Sequence, residues 1–303
     1  MDELAAKLTV PYHTDSEKVR SIFYWITQHI SYDVADFHSG NREMPGAPDD
    51  ITDSTEREKY SREKYAHQVL TKRKGVCEGY ATLLKILCDR AGITCYIISG
   101  DGRVGLSDIG RPVAENHTWN AVKINGKCRL IDACWASGYC DAAATRYTKE
   151  YKEFYFFTDP ALFIYDHFPT DKKWQLLKEP VTPDQCMSYP NFLFEKANTP
   201  IISYSPKNGL IKAHIGDTIS VDIVLNEPFN PTKYLGTRID EYDAKGKALH
   251  YSSGKKIMLH QKISHTGNTI HYDYKVWSKN VTGLYILYNG RSYLLAYKLE
   301  VEN

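Results

Sequence analysis

Gly75-Val76-Cys77-Glu78-Gly79-Tyr80-Ala81 sets one cysteine between a glycine turn and the start of an apolar run. Beyond it, Ala81, Leu84, Leu87 and Cys88 recur at three- and four-residue spacing and Gly92 closes the run, so the pattern predicts a buried helix with Cys77 in its first turn. A thiolate there faces the positive end of the helix, which lowers its pKa and raises its reactive fraction near neutral pH. Free cysteine is also among the most buried residue types, so a core thiol fits the same position. What separates a nucleophile from a core thiol is a base supplied elsewhere in the chain.

The base comes from a hairpin. Thr118 to Ile124 and Lys127 to Cys134 flank Asn125-Gly126, the strongest short-range signal for a two-residue turn. That turn sets Ile124 against Lys127, and counting outward puts Trp119 opposite Asp132 and His117 opposite Cys134. Alternation along each strand then places His117, Trp119, Leu130 and Asp132 on one face, with His117 and Asp132 as diagonal neighbours. A turn one residue longer would send the two to opposite faces. Cys77, His117 and Asp132 meet the requirements of an activated nucleophile: a thiol, an imidazole to take its proton, and a carboxylate to fix the tautomer and stabilise the imidazolium. Each has a bland reading alone, as core thiol, strand cap or turn acid; together they point to chemistry.

At these residues the sequence resembles the transglutaminase-like superfamily, with its papain-like Cys-His-Asp core. The resemblance rests on Gly75 to Ala81, on Asn116-His117-Thr118-Trp119-Asn120-Ala121-Val122, and on Asn125-Gly126-Lys127 leading to Leu130-Ile131-Asp132-Ala133-Cys134-Trp135. It extends from about Ser16 to Lys178 and is nearest to the kyphoscoliosis-peptidase-like branch, through Tyr155-Phe156-Phe157 and Phe163 to Pro169. It implies that Cys77 is the nucleophile, His117 the general base and acid, and Asp132 the orienting carboxylate. It also nominates Tyr32, with the backbone N–H of Cys77, for holding an oxyanion, and Trp119 for substrate contact. The chain departs from the family pattern at Cys128, where an aromatic is common, and at Cys134, where a small hydroxyl residue is common. Both put extra thiols near the site.

Upstream, Thr14 to Glu17 forms a capping signal ahead of Val19, Ile22, Phe23, Ile26 and Ile30, one face of an amphipathic helix. Phe37 to Ser54 reads as a long irregular loop, Thr55 to Lys74 as a charged surface helix, and Ile93 to Ser99 as a buried strand. Gly100 to Pro112 is glycine-rich but lacks the lysine and hydroxyl of a phosphate loop, so it reads as a flexible connection. Pro180 and Pro183 mark a boundary, with Thr182 as the cap of a short helix. From about Thr199 the texture turns to strands: Ile201 to Tyr204, Thr218 to Leu225, Lys256 to Ile263, Thr269 to Val276, and a last hairpin, Gly283 to Val301, turning at Asn289-Gly290. The expectation is an α+β protein: a transglutaminase-like domain over 1–182, a linker with a short helix over 183–198, and an immunoglobulin-like β-sandwich over 199–303.

Composition narrows the function. A net charge of +1 gives no sign of a nucleic-acid partner, no apolar stretch is long enough for a membrane span, and Met1 to Val10 lacks a signal-peptide core. The seven cysteines, without a Cys-x-x-Cys pair, suggest free thiols. His260, His265 and His271 fit no standard metal spacing and there is no calcium-loop pattern, so neither metal nor cofactor is expected. The function expected is cysteine-dependent amide acyl transfer on a protein or peptide. Water as acceptor makes it a peptidase or amidase, and a lysine amine makes it a protein-glutamine transferase. A non-catalytic peptide-binding scaffold is the alternative from another class.

Overall fold

The chain was described from a computed structural model, which covers residues 1–302 apart from 41–43, 142, 194–200, 227, 229, 231–236, 243–247, 253–260 and 289–291. It divides into two compact units: residues 1–101, 115–163 and 169–180 form the first, and residues 102–114, 164–168 and 181–303 the second.

In the first unit, α1 (Asp2–Thr9) precedes α2 (Asp15–His29). The Thr14 hydroxyl accepts the Glu17 backbone N–H while the Glu17 carboxylate accepts that of Thr14, a reciprocal cap that satisfies two otherwise orphaned donors. Val19, Ile22, Phe23 and Ile26 then face the core, as their spacing predicts. Strand β1 (Ser31–Tyr32) follows, and α3 (Val34–Ser39) occupies the start of the stretch expected to be irregular, because the Asp33 side chain caps it through the Asp36 N–H. Helix α4 (Ser54–Lys72) leads to β2 (Lys74–Gly75), which pairs in parallel with β1, and then to α5 (Cys77–Arg90). A Cβ on Gly79 would lie 2.9 Å from Val69 Cγ2, so glycine here lets α4 and α5 approach closely.

Strands β3 (Cys95–Gly102), β4 (His117–Ile124) and β5 (Lys127–Ile131) are antiparallel neighbours. Asn125 (φ 49°) and Gly126 (φ 79°) make the two-residue turn, and Ile124 pairs with Lys127 as the sequence predicts. Asn120 pins the sheet to α5: its Nδ2 donates to the Ala81 carbonyl (3.0 Å) and to that of Tyr96 (3.1 Å). The short helix α6 (Ala133–Ser137) follows, then the paired strands β6 (Gly138–Cys140) and β7 (Tyr147–Lys149), then β8 (Phe156–Thr158), which extends the sheet beyond β5, and α7 (Pro160–Phe163). One apolar core joins α2, α5 and the sheet.

The division between the units falls within β9 (His167–Pro169); in the second unit, α8 (Pro183–Ser188) starts as predicted, with Thr182 as cap and Pro183 in the first turn. Gly100 to Pro112, expected as a flexible connection, holds local structure. The first residues extend β3, and the rest closes around Asp108, whose carboxylate accepts the Val104 and Gly105 N–H groups and pairs with Arg111.

The remaining strands are β10 (Asn191–Phe192), β11 (Ile201–Ser205), β12 (Leu210–His214), β13 (Thr218–Leu225), β14 (Thr237–Tyr242), β15 (Ala248–Ser252), β16 (Gln261–Thr266), β17 (Thr269–Lys275), β18 (Val281–Tyr288) and β19 (Ser292–Glu302). They make one sheet of order β10-β19-β18-β14-β15, with β12 parallel to β19, and a second of order β11-β13-β17-β16. Alternate residues of both sheets, among them Val221, Ile223, Tyr272, Leu284 and Leu295, share one core, so the unit is a β-sandwich. The predicted strand from Lys256 starts at Gln261 among the described residues, and His260 and the Asn289-Gly290 turn lie outside them. His265 is an exposed strand residue, and His271, half-buried, bonds to Asp222.

Candidate active site

Cys77 is the first residue of α5, after an extended Val76, and is 7% exposed. Its backbone N–H lies in the first turn, where helices leave donors without intrahelical acceptors. The thiol faces His117, the first residue of β4, and the Thr118 backbone N–H points at it. Burial pushes this thiol up, but hydrogen bonding and charge from His117, helped by the Thr118 N–H, outweigh burial and hold it below the ordinary thiol value.

Across the imidazole, His117 Nε2 lies 2.7 Å from Asp132 Oδ2, which leaves Nδ1 as the ring nitrogen for Cys77. Asp132 is 1% exposed and uses both oxygens. Oδ1 caps α6 by accepting the N–H groups of Cys134 (2.7 Å) and Trp135 (3.0 Å), so the carboxylate cannot rotate without releasing a helix start. Burial pushes the imidazole down, yet the Asp132 charge and hydrogen bond, together with Cys77, push it up to about 10. A depressed thiol beside an elevated imidazole favours the thiolate–imidazolium pair at neutral pH.

Two indoles bound the ring. Trp119, nominated for substrate contact, is buried and stacks on His117 at 5.9 Å between centroids, with Phe163 against its far side. It lines the imidazole and, at 1% exposed, presents no open surface. Trp135, to which the sequence reading gave no role, lies 5.0 Å from His117. Its signal was its place three residues after Asp132, one turn into the helix that Asp132 caps.

Tyr32, half-buried, pairs with Gly75 in the β1–β2 ladder two residues ahead of Cys77, and its ring packs on Phe37 and Tyr147. The two departures behave differently. Cys134 is buried at the start of α6 and its thiol is pushed well up by burial, whereas Cys128 is half-exposed on β5. All seven cysteines are free thiols.

A cysteine at the head of a buried helix thus faces a histidine at the start of an antiparallel strand, which in turn bonds to an aspartate just past the end of the neighbouring strand. Residues 2–137 match the family model of the transglutaminase-like superfamily. The chain is similar to Kyphoscoliosis peptidase of Homo sapiens, 35% identical over 228 residues, which is 73% of this chain and 31% of that protein. It is also similar to Hillarin of Drosophila melanogaster, 30% identical over 184 residues, covering 56% of this chain and 20% of the other. The chain therefore spans less than a third of the length of these curated relatives. Among solved structures, a putative cysteine protease from Cytophaga hutchinsonii overlays 44% of this chain and 36% of its own at 22% identity and a TM-score of 0.28.

Proposed function

We propose that the protein is a cysteine-dependent amide hydrolase acting on protein or peptide chains through Cys77, His117 and Asp132. The observation that carries this reading is the His117–Asp132 hydrogen bond of 2.7 Å on the side of the imidazole away from a Cys77 thiol held below its ordinary pKa. The Cys77 thiolate attacks the amide carbonyl carbon, forming a C–S bond and placing the electron pair on oxygen. The Cys77 N–H and the Tyr32 hydroxyl are the donors assigned to that oxyanion. As the pair returns, the C–N bond breaks and His117 gives its proton to the leaving nitrogen, leaving a thioester. Water then attacks the thioester, His117 takes its proton, and the acid departs as the thiolate reforms. Asp132 stays ionised throughout and keeps the ring aligned.

Hydrolysis is preferred to transfer because the human relative is named a peptidase. The second unit, read as an immunoglobulin-like sandwich, is assigned an accessory task of binding or bracing. The test is incubation of a complex peptide mixture with the protein and a labelled primary amine, followed by mass spectrometry. New peptide termini or deamidated glutamines that vanish with Cys77→Ala are expected. Amine label on glutamine side chains would replace hydrolysis by transfer, and no product of either kind would leave the scaffold reading.

A further inference from the structure

The two helices that carry the opposite ends of the triad meet at one buried hydroxyl. Ser137 is the last residue of α6, the helix capped by Asp132, and is 1% exposed. Its Oγ donates to the Cys134 carbonyl (2.7 Å), closing the last turn. Its remaining capacity meets two phenols: Tyr80, 3.2 Å away on α5 one turn after Cys77, and Tyr147, 2.9 Å away on β7. The Tyr147 hydroxyl also lies 2.7 Å from the Ser137 carbonyl, so its single proton is shared between that carbonyl and the Ser137 Oγ in a bifurcated bond.

The backbone is shaped for this contact. Residue 138 is a glycine at φ 158°, and a Cβ there would lie 2.2 Å from the Thr148 carbonyl oxygen and 2.8 Å from the Tyr147 ring. Any other residue would push Tyr147 off Ser137. Burial holds both phenols in the protonated form, so they remain donors at any working pH. The other face of Tyr147 meets Tyr32, 6.5 Å between ring centroids.

A helix of five residues has little rigidity of its own, because a single turn is at the costly end of helix formation. With Asp132 at one end and the Ser137 node at the other, α6 is clamped against α5. We infer that Tyr147, Ser137 and Tyr80 are positioning residues that set the Asp132 carboxylate against His117, and so activate Cys77 from a distance. The inference rests on the assignment of Cys77 and His117 as a catalytic pair. None of the three touches the reacting atoms. Their hydroxyls act by fixing where α6 lies.

The test compares Tyr147→Phe and Ser137→Ala with the parent protein and with Thr9→Val, which deletes a buried hydroxyl hydrogen bond to Ala5 on α1. Two quantities are read for each: the His117 titration by NMR, and the rate of Cys77 alkylation by iodoacetamide at neutral pH. Removing one hydroxyl of the node should lower the proton affinity of His117 and the alkylation rate each by about two- to tenfold, the range that a net hydrogen bond supports. Thr9→Val should lower the unfolding midpoint and leave both readings unchanged. If both node variants match the parent in both readings, or if Thr9→Val moves them equally, the positioning role is overturned while the triad stands. A parent protein whose His117 titrates at an ordinary pH and whose Cys77 is unreactive overturns the triad and the positioning role together.

Discussion

Asp132→Asn separates the charge of the orienting residue from its shape. Asparagine is as good a helix cap as aspartate, so its Oδ1 can still accept from Cys134 and Trp135 and α6 keeps its start. What is lost is the negative charge 2.7 Å from His117 Nε2. Burial opposes the imidazolium more strongly than any single favourable contribution, and Asp132 provides the two largest of those. Without them the His117 pKa should fall from about 10 toward the ordinary 6.5. The amide group would also turn its NH2 toward Nε2, shifting the proton of the neutral ring to Nδ1, the nitrogen that should accept from Cys77. Proton transfer is then lost, with a fall in acylation of roughly two to four orders of magnitude. The assay is NMR of histidine-labelled protein across pH, with the His117 ε1 signal assigned by its loss in His117→Gln. A His117 that titrates near 10 in Asp132→Asn, or near 6.5 in the parent, refutes this account of how the imidazole is held protonated.

Two further outcomes follow from packing and capping. Gly79→Ala sets a methyl 2.9 Å from Val69 Cγ2 and should cost about 1–3 kcal/mol in thermal or denaturant unfolding; adding Val69→Ala should cost less than the sum of the single changes. Thr14→Ala breaks the reciprocal cap of α2 and should cost about 0.5–2 kcal/mol without moving the His117 titration, since α2 carries none of the three triad residues.

The site was legible where one residue fixed several others. Asn125-Gly126 permits a single register, which the ladder from Ile124–Lys127 to Asn120–Ile131 bears out, and His117 meets Asp132 at 2.7 Å although Asp132 lies one residue past the end of β5. The capping role of Asp132 was not read, because β5 was expected to run on to Cys134, whereas its side chain ends the strand at Ile131 and starts α6. Tyr80, Ser137 and Tyr147 were invisible for another reason: 57 and 10 residues separate the first and the last from Ser137, and only the folded chain brings them together. In Gly100 to Pro112 the glycines signal turns but not what holds them. Asp108 does so through local hydrogen bonds that have no sequence period. In the second unit β13 and β17 alternate cleanly and were found, while β12, β14 and β15 carry charges and short runs that obscure the alternation.

The central claim is that Cys77 is an activated nucleophile and not one more buried thiol among seven. The most direct measurement is competitive labelling of the native protein with limiting iodoacetamide from mildly acidic to alkaline pH, with peptide mapping of each cysteine in the parent and in His117→Ala. Because burial raises the Cys77 thiol and His117 reverses the shift, Cys77 should label at a pH well below that of an ordinary thiol in the parent. In His117→Ala it should label only above that value, with Cys134 silent in both. Labelling of Cys77 that is slow at neutral pH in the parent, or unchanged by His117→Ala, would contradict the account.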